Sequence, residues 1–182
     1  MTIDSVATTS PSPTLRNNVL IVVSNPSPVA ARRDRALSGA DLTHPYYELK
    51  QSGVEVTIAS PHGGKVRIDE RRTPHGSPPR SCEDVITIGV AHTSALIALL
   101  QNTPKLADLD LDRYDGIIIV SGLGPTFTIH DNAQIQRALR HFYEHDKPAF
   151  VVPDVRPTRG QQTEPGRKVA QILIEALEDR IW

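Results

Sequence analysis

The chain has 182 residues, a net charge of −1, 38% hydrophobic and 23% charged residues, which suits one globular domain with a real core. The balanced charge argues against a nucleic-acid or membrane-surface partner, and no apolar stretch approaches the ~20 residues needed to span a bilayer. The single cysteine excludes an internal disulfide framework and fits a reducing, cytoplasmic compartment.

Residues 1–16 begin with a Ser-, Thr- and Pro-rich stretch that has no basic start and no apolar core. They read as a disordered leader rather than a signal peptide, leaving 17–182 as one domain. Residues 19–23, Val-Leu-Ile-Val-Val, form a continuous apolar run suited to a parallel strand covered on both faces. Residues 30–37 are charged and weakly patterned. A helix is predicted from about Asp41 to Lys50, stopped by Ser52-Gly53. A second strand is expected over 54–59, and Gly63-Gly64 turns into a short strand over 65–68. Residues 71–84 read as a long Pro- and Arg-rich loop, 94–100 as a helix ended by Pro104, and Leu106, Leu109 and Leu111 as packing points of a connecting segment. The third strand is 116–120. Asp131 or Asn132 then caps a helix to about His145, with Ile135, Ala138, Leu139 and Phe142 on one face. A fourth strand over 149–152 and a last helix over about 167–180 complete the chain.

Strands alternating with helices at this spacing predict an α/β fold: a flavodoxin-like, doubly wound, mostly parallel sheet with helices on both faces. Ligand sites in such sheets lie at the carboxyl ends of the strands, so chemistry is expected in the loops after strands one, three and four.

Three segments carry a family resemblance. The first is Ser38-Gly39-Ala40-Asp41-Leu42-Thr43-His44-Pro45-Tyr46-Tyr47, continued by a strand that ends Ala59-Ser60-Pro61-His62-Gly63-Gly64, with Asp69 beyond. The second runs from Asn102-Thr103-Pro104-Lys105-Leu106 to Tyr114-Asp115-Gly116. The third is Ser121-Gly122-Leu123-Gly124-Pro125 with Asp131-Asn132. In this order they resemble the ThiJ/PfpI superfamily, whose members share a class I glutamine amidotransferase-like fold, and most closely its glyoxalase III-like branch. In that branch a cysteine on a tight turn after the fourth strand, the nucleophile elbow, adds as a thiolate to a carbonyl compound such as methylglyoxal. A carboxylic acid and a histidine then move protons to give lactate, and backbone amides of the glycine loop hold the oxyanion. The resemblance implies no cofactor.

The departures are as specific as the matches. Pro153 and Asp154 stand where the family has Cys and His, Leu123 stands for the loop histidine, Ser121 for the first loop glycine, and Asp41 for a glutamate. A segment of a few dozen residues is missing near 155–165, which shortens the C-terminal part and leaves apolar surface for a partner chain or a rearrangement to cover. What the resemblance leaves is Gly122, Leu123 and Gly124 as oxyanion or carbonyl binders, and Asp41 and Asp154 as a carboxylate pair for proton transfer. The competing reading makes Asp41 a helix cap and Asp154 a turn residue. Cys82 lies in a loop, not on a strand-to-helix turn, and reads as a cysteine without a catalytic task. Of the seven histidines, only His141 and His145 have metal-ligand spacing. A zinc site needs a third converging ligand, so no metal is expected and they read as a solvated helix face.

The expectation is a degenerate or truncated glyoxalase III-like protein without the cysteine-dependent activity, a pseudoenzyme. Three alternatives stand beside it: a cofactor-free lyase or isomerase acting on a small carbonyl compound through Asp41 and Asp154, a non-catalytic chaperone-like or homodimerising module, and a faulty gene model of an active glyoxalase III-like enzyme, in which a deletion, frameshift or missed splice near Val155 removes the elbow.

Overall fold

The sheet is built around its two most apolar runs. β1 (Asn18–Val23) and β5 (Gly116–Val120) lie side by side in parallel, Val19 opposite Gly116 and Val23 opposite Val120. Neither Val19–Val23 nor Ile117–Val120 exposes any surface, as strands buried on both faces require. The computed structural model describes residues 17–23, 37–69, 85–120, 132–152 and 165–179. The leader over 1–16, the loop over 71–84 with Cys82, the 121–131 segment, and residues 153–164, with Pro153 and Asp154 and most of the 155–165 stretch where the internal deletion is expected, lie outside the described residues.

β3 (Glu55–Ala59) flanks β1, and β6 (Ala149–Val152) flanks β5. The four-stranded order is β3-β1-β5-β6, all parallel. Strand order reverses between β1 and β5, as in flavodoxin-like sheets. A separate parallel pair joins β2 (Leu37–Ser38) to β4 (Ile68–Asp69). The short strand expected over 65–68 is thus displaced to Ile68–Asp69, because its partner is not the next segment in sequence but two residues just before the first helix.

Two cores alternate along each central strand. Val19, Ile21, Val23, Ile118 and Val120 face one side; Leu20, Val22, Ile117 and Ile119 face the other. The first side is covered by α1 (Gly39–Gln51), α2 (Val85–Ala91), α3 (Ser94–Gln101) and α5 (Pro165–Glu178). The second is covered by α4 (Ala133–Glu144) through Ile135, Ala138 and Phe142, with two 3-10 turns at Leu106–Asp108 and Leu111–Arg113. The expected helices on both faces are present. α2 is the element that the sequence did not announce.

Local signals explain the ends. The Asn132 side chain accepts from the amides of Gln134 and Ile135 at 3.0 and 3.1 Å, satisfying two of the four donors a helix start leaves over. Gly53 takes φ of 75° just after α1, the left-handed stop that glycine tolerates. No helix among the described residues is long and apolar enough to cross a membrane.

Candidate functional site

The carboxyl edge of the sheet is where a doubly wound fold places its ligand. α1 begins there, and its first turns are unusually closed. Asp41 is 7% exposed and His44 only 1%, with Leu42 and Thr43 between them fully covered. Asp41 and His44 are three residues apart, the spacing that puts side chains on one face of a helix. Asp41 sits inside the first turn rather than at the position preceding the helix, because α1 already starts at Gly39. Its carboxylate lies where the positive end of the helix dipole favours negative charge. The cap position is therefore three residues earlier, and Asp41 is a first-turn acid.

α2 and α5 close over this turn. The hydroxyls of Thr43 and Thr87 share a buried hydrogen bond of 2.9 Å. Pro45, inside α1, has no N–H to return to the Asp41 carbonyl. Gly166 of α5 packs against this point: a Cβ on it would lie 2.8 Å from Pro45 Cδ and 3.2 Å from the Asp41 carbonyl oxygen. The Arg167 guanidinium, one residue on, meets Glu48 at 2.8 Å.

A second structure at the same edge joins two of the motif segments. The turn after β3 is held by residues 102–105 through bridges Ser60 to Lys105 and Gly64 to Thr103. The Gly64 amide donates to the Thr103 carbonyl at 2.8 Å, and the Thr103 amide returns a bond to Gly64 at 2.9 Å. Thr103 Oγ1 donates its one proton to the Gly64 carbonyl at 2.7 Å, so in its 2.7 Å contact with Ser60 Oγ it must accept. Gly63 has φ of 71°, and a Cβ there would meet Lys105 Cγ at 2.7 Å. These residues fix the loop's shape and leave no hydroxyl proton for chemistry.

Of the residues expected to act, the structure thus locates Asp41. Asp154, Gly122, Leu123 and Gly124 lie outside the described residues. Their strands end together, since Val120 and Val152 are register partners at the carboxyl ends of β5 and β6. His44 was not singled out from the sequence; the signal was its three-residue spacing from Asp41 after the first strand's loop. One set of side chains among the described residues brings three potential metal-ligand atoms within 4.8 Å of one another, Asp112, His141 and His145. It lies at the other end of the sheet, beside the starts of β5 and β6.

No sequence family and no curated protein matches the chain. Solved structures do. The Rapid Encystment Protein 24 KDa of Francisella tularensis is 22% identical, with a TM-score of 0.57 over 74% of this chain and 57% of its own. This chain therefore spans less than two thirds of that protein's length. A second solved structure, with no stated function or organism, is 18% identical, with a TM-score of 0.67 over 91% of this chain and 100% of that one. Glyoxalase III from Candida albicans is 17% identical, with a TM-score of 0.56 over 91% of this chain and 76% of that enzyme. The chain has the fold of glyoxalase III. That is the branch of the ThiJ/PfpI superfamily that the motifs resemble. Identities at this level speak of architecture, and activity has to be argued from the site.

Proposed function

We propose that this chain is a glyoxalase III-like member of the ThiJ/PfpI superfamily that has lost the cysteine-dependent conversion of methylglyoxal to lactate. One observation carries the reading. β6 ends at Val152 beside the end of β5, the position from which the family's nucleophile elbow departs, and the next residues in the sequence are Pro153 and Asp154. Proline has neither a thiolate to attack a carbonyl nor a proton to transfer. The role left to such a chain is association, as a homodimer or a chaperone-like module. Exposed Val85 and Ile88 of α2, Ile97 of α3 and Ile172 of α5 all belong to helices on one face of the sheet and supply apolar contact surface for it.

The test is to incubate the purified chain, shown to be folded by circular dichroism, with methylglyoxal and follow lactate by NMR. No lactate above the buffer rate is the expected result. Lactate formed above that rate would overturn the reading.

A second reading is favoured by the burial of Asp41 beside His44. A carboxylate enclosed at the carboxyl edge is suited to proton transfer without a covalent step, as in a lyase or isomerase acting on a small carbonyl compound, with Asp154 as its partner. In that case Asp41→Asn abolishes turnover of the carbonyl substrate while the fold survives.

A further inference from the structure

We propose that Asp112, His141 and His145 form a binding site for a divalent transition-metal ion of the zinc type. One ligand atom from each lies within 4.8 Å of the others. His141 lies in the last turn of α4 and His145 is the residue that caps its end, four positions on, close to the spacing by which a helix offers two imidazoles to one ion. Their rings stack with centroids 4.3 Å apart. The third ligand comes from the 3-10 turn Leu111–Arg113, remote in sequence, which packs against α4.

Two of the three ligands are oriented by bonds outside the trio's ligand atoms. The Asp112 backbone is held at both ends: its amide donates to Asp110 Oδ1 at 3.2 Å, and its carbonyl accepts from Lys147 Nζ at 3.0 Å. Its carboxylate Oδ1 then stands 3.2 Å from His141 Nε2. That nitrogen is buried from water and makes no hydrogen bond of good geometry, with the carboxylate as its neighbour, so a cation between the two would be held by both. His145 Nδ1 lies 2.8 Å from the His141 carbonyl oxygen. A carbonyl can only accept, so Nδ1 is the donor of this bond, and in the neutral ring Nε2 keeps the lone pair a metal needs. Backbone bonding of the other ring nitrogen is the usual support of a ligating histidine.

The electrostatics agree. The carbonyl end of α4 concentrates partial negative charge where a cation would sit, and Asp112 adds a full one. The Lys147 ammonium on the Asp112 carbonyl opposes it, so the site is expected to be weaker than a closed four-ligand zinc site. Tetrahedral ligands at zinc bond lengths stand ~3.3 Å apart; Asp112 Oδ1 and His141 Nε2 already stand 3.2 Å apart, and the widest separation in the trio, within 4.8 Å, has to close by up to about 1.5 Å. His145, exposed just past the end of α4, is the ligand that has to approach and has room to do so. Three protein ligands leave the fourth position to water, as in zinc sites that are not purely structural. Asp112 and His141 also line a groove of about 300 Å³ between α4 and the turns before β5, along with Arg137 and Gln134. The site and its groove do not depend on the carboxyl edge or on the fate of Pro153.

The experiment is titration of the metal-stripped full chain with Zn²⁺ by calorimetry, and with Co²⁺ by visible absorption. One equivalent should bind, with a Co²⁺ band in the range given by four- or five-coordinate nitrogen–oxygen sites. His145→Gln and Asp112→Asn, both at exposed positions, should each weaken Zn²⁺ at least tenfold, whereas His92→Gln should leave it unchanged. The same two variants should lose the rise in melting temperature that Zn²⁺ gives the parent chain. No stoichiometric binding, or binding that Asp112→Asn leaves intact, overturns the site.

Discussion

Gly166 lies against Pro45. Only the absence of a side chain at 166 lets α5 descend onto α1 at the point where the proline interrupts the helix, since a Cβ would come within 2.8 Å of the ring and 3.2 Å of the Asp41 carbonyl. Both neighbours are stiff, one a ring and the other a backbone oxygen. Gly166→Ala should therefore cost about 1–3 kcal/mol through overpacking, despite the better helix propensity of alanine. Urea unfolding should show a lower midpoint with an unchanged slope. An unchanged or raised midpoint would mean that the two helices part without cost.

The Ser60–Thr103 pair predicts an inequality. Ser60→Ala removes one hydrogen bond and leaves Thr103 bonded to the Gly64 carbonyl, at a cost of about 1 kcal/mol. Thr103→Val removes both bonds and strands a buried serine hydroxyl, so its cost should be larger, about 1–3 kcal/mol. The double variant should lose less than the sum of the two. A double-mutant cycle by chemical denaturation measures all three.

Tyr46 predicts a change on the alkaline side. Burial in the α1 core raises its phenol above the ordinary 10.0. As pH climbs past 10, the unfolded chain gives up this proton while the native chain keeps it. The native state then binds more protons, and stability falls with rising pH until the folded value is passed. Tyr46→Phe should remove this part of the alkaline slope, read as urea midpoints between pH 9 and pH 11. An identical slope in the variant would refute the assignment.

The Arg167–Glu48 contact, at 2.8 Å and half-exposed on the arginine side, should matter little. Arg167→Ala is expected to cost about 0.2–1 kcal/mol at low salt. In 1 M salt most of that difference should vanish, as thermal melts of the two proteins would show.

The sheet was readable because its strands are written as unbroken apolar runs. Residues 19–23, 116–120 and 149–152 have no other use for so many β-branched side chains side by side. Asn132 likewise marks its helix by capping chemistry alone. α2 escaped because Val-Ile-Thr-Ile-Gly-Val-Ala contains β-branched residues and a glycine, poor helix formers. What makes it a helix is its packing against α1, Thr87 on Thr43 included, and that contact is tertiary. The pair Leu37–Ser38 and Ile68–Asp69 is too short to leave a pattern. At the functional edge, Asp41 was legible and its enclosure was not. The metal-ligand trio shows the same limit: the helix spacing of His141 and His145 was visible, but Asp112 reaches them only through the packing of the turns before β5 against α4.

The pairing of β1 with β5 also sets a schedule. Asn18 bonds to Asp115, 97 residues further along the chain. At ribosomal speeds of roughly 5–20 residues per second, that partner follows its strand by about 5–20 s. For that interval the nascent chain carries Val19–Val23 with one hydrogen-bonding edge open and the surface that α4 will cover still bare. Local contacts cannot relieve it, because the central pairing is non-local and slow to form. The most protected strand of the finished protein is thus open during its synthesis: its edge waits for β5 and its bare face for α4, which follows β5 in the chain.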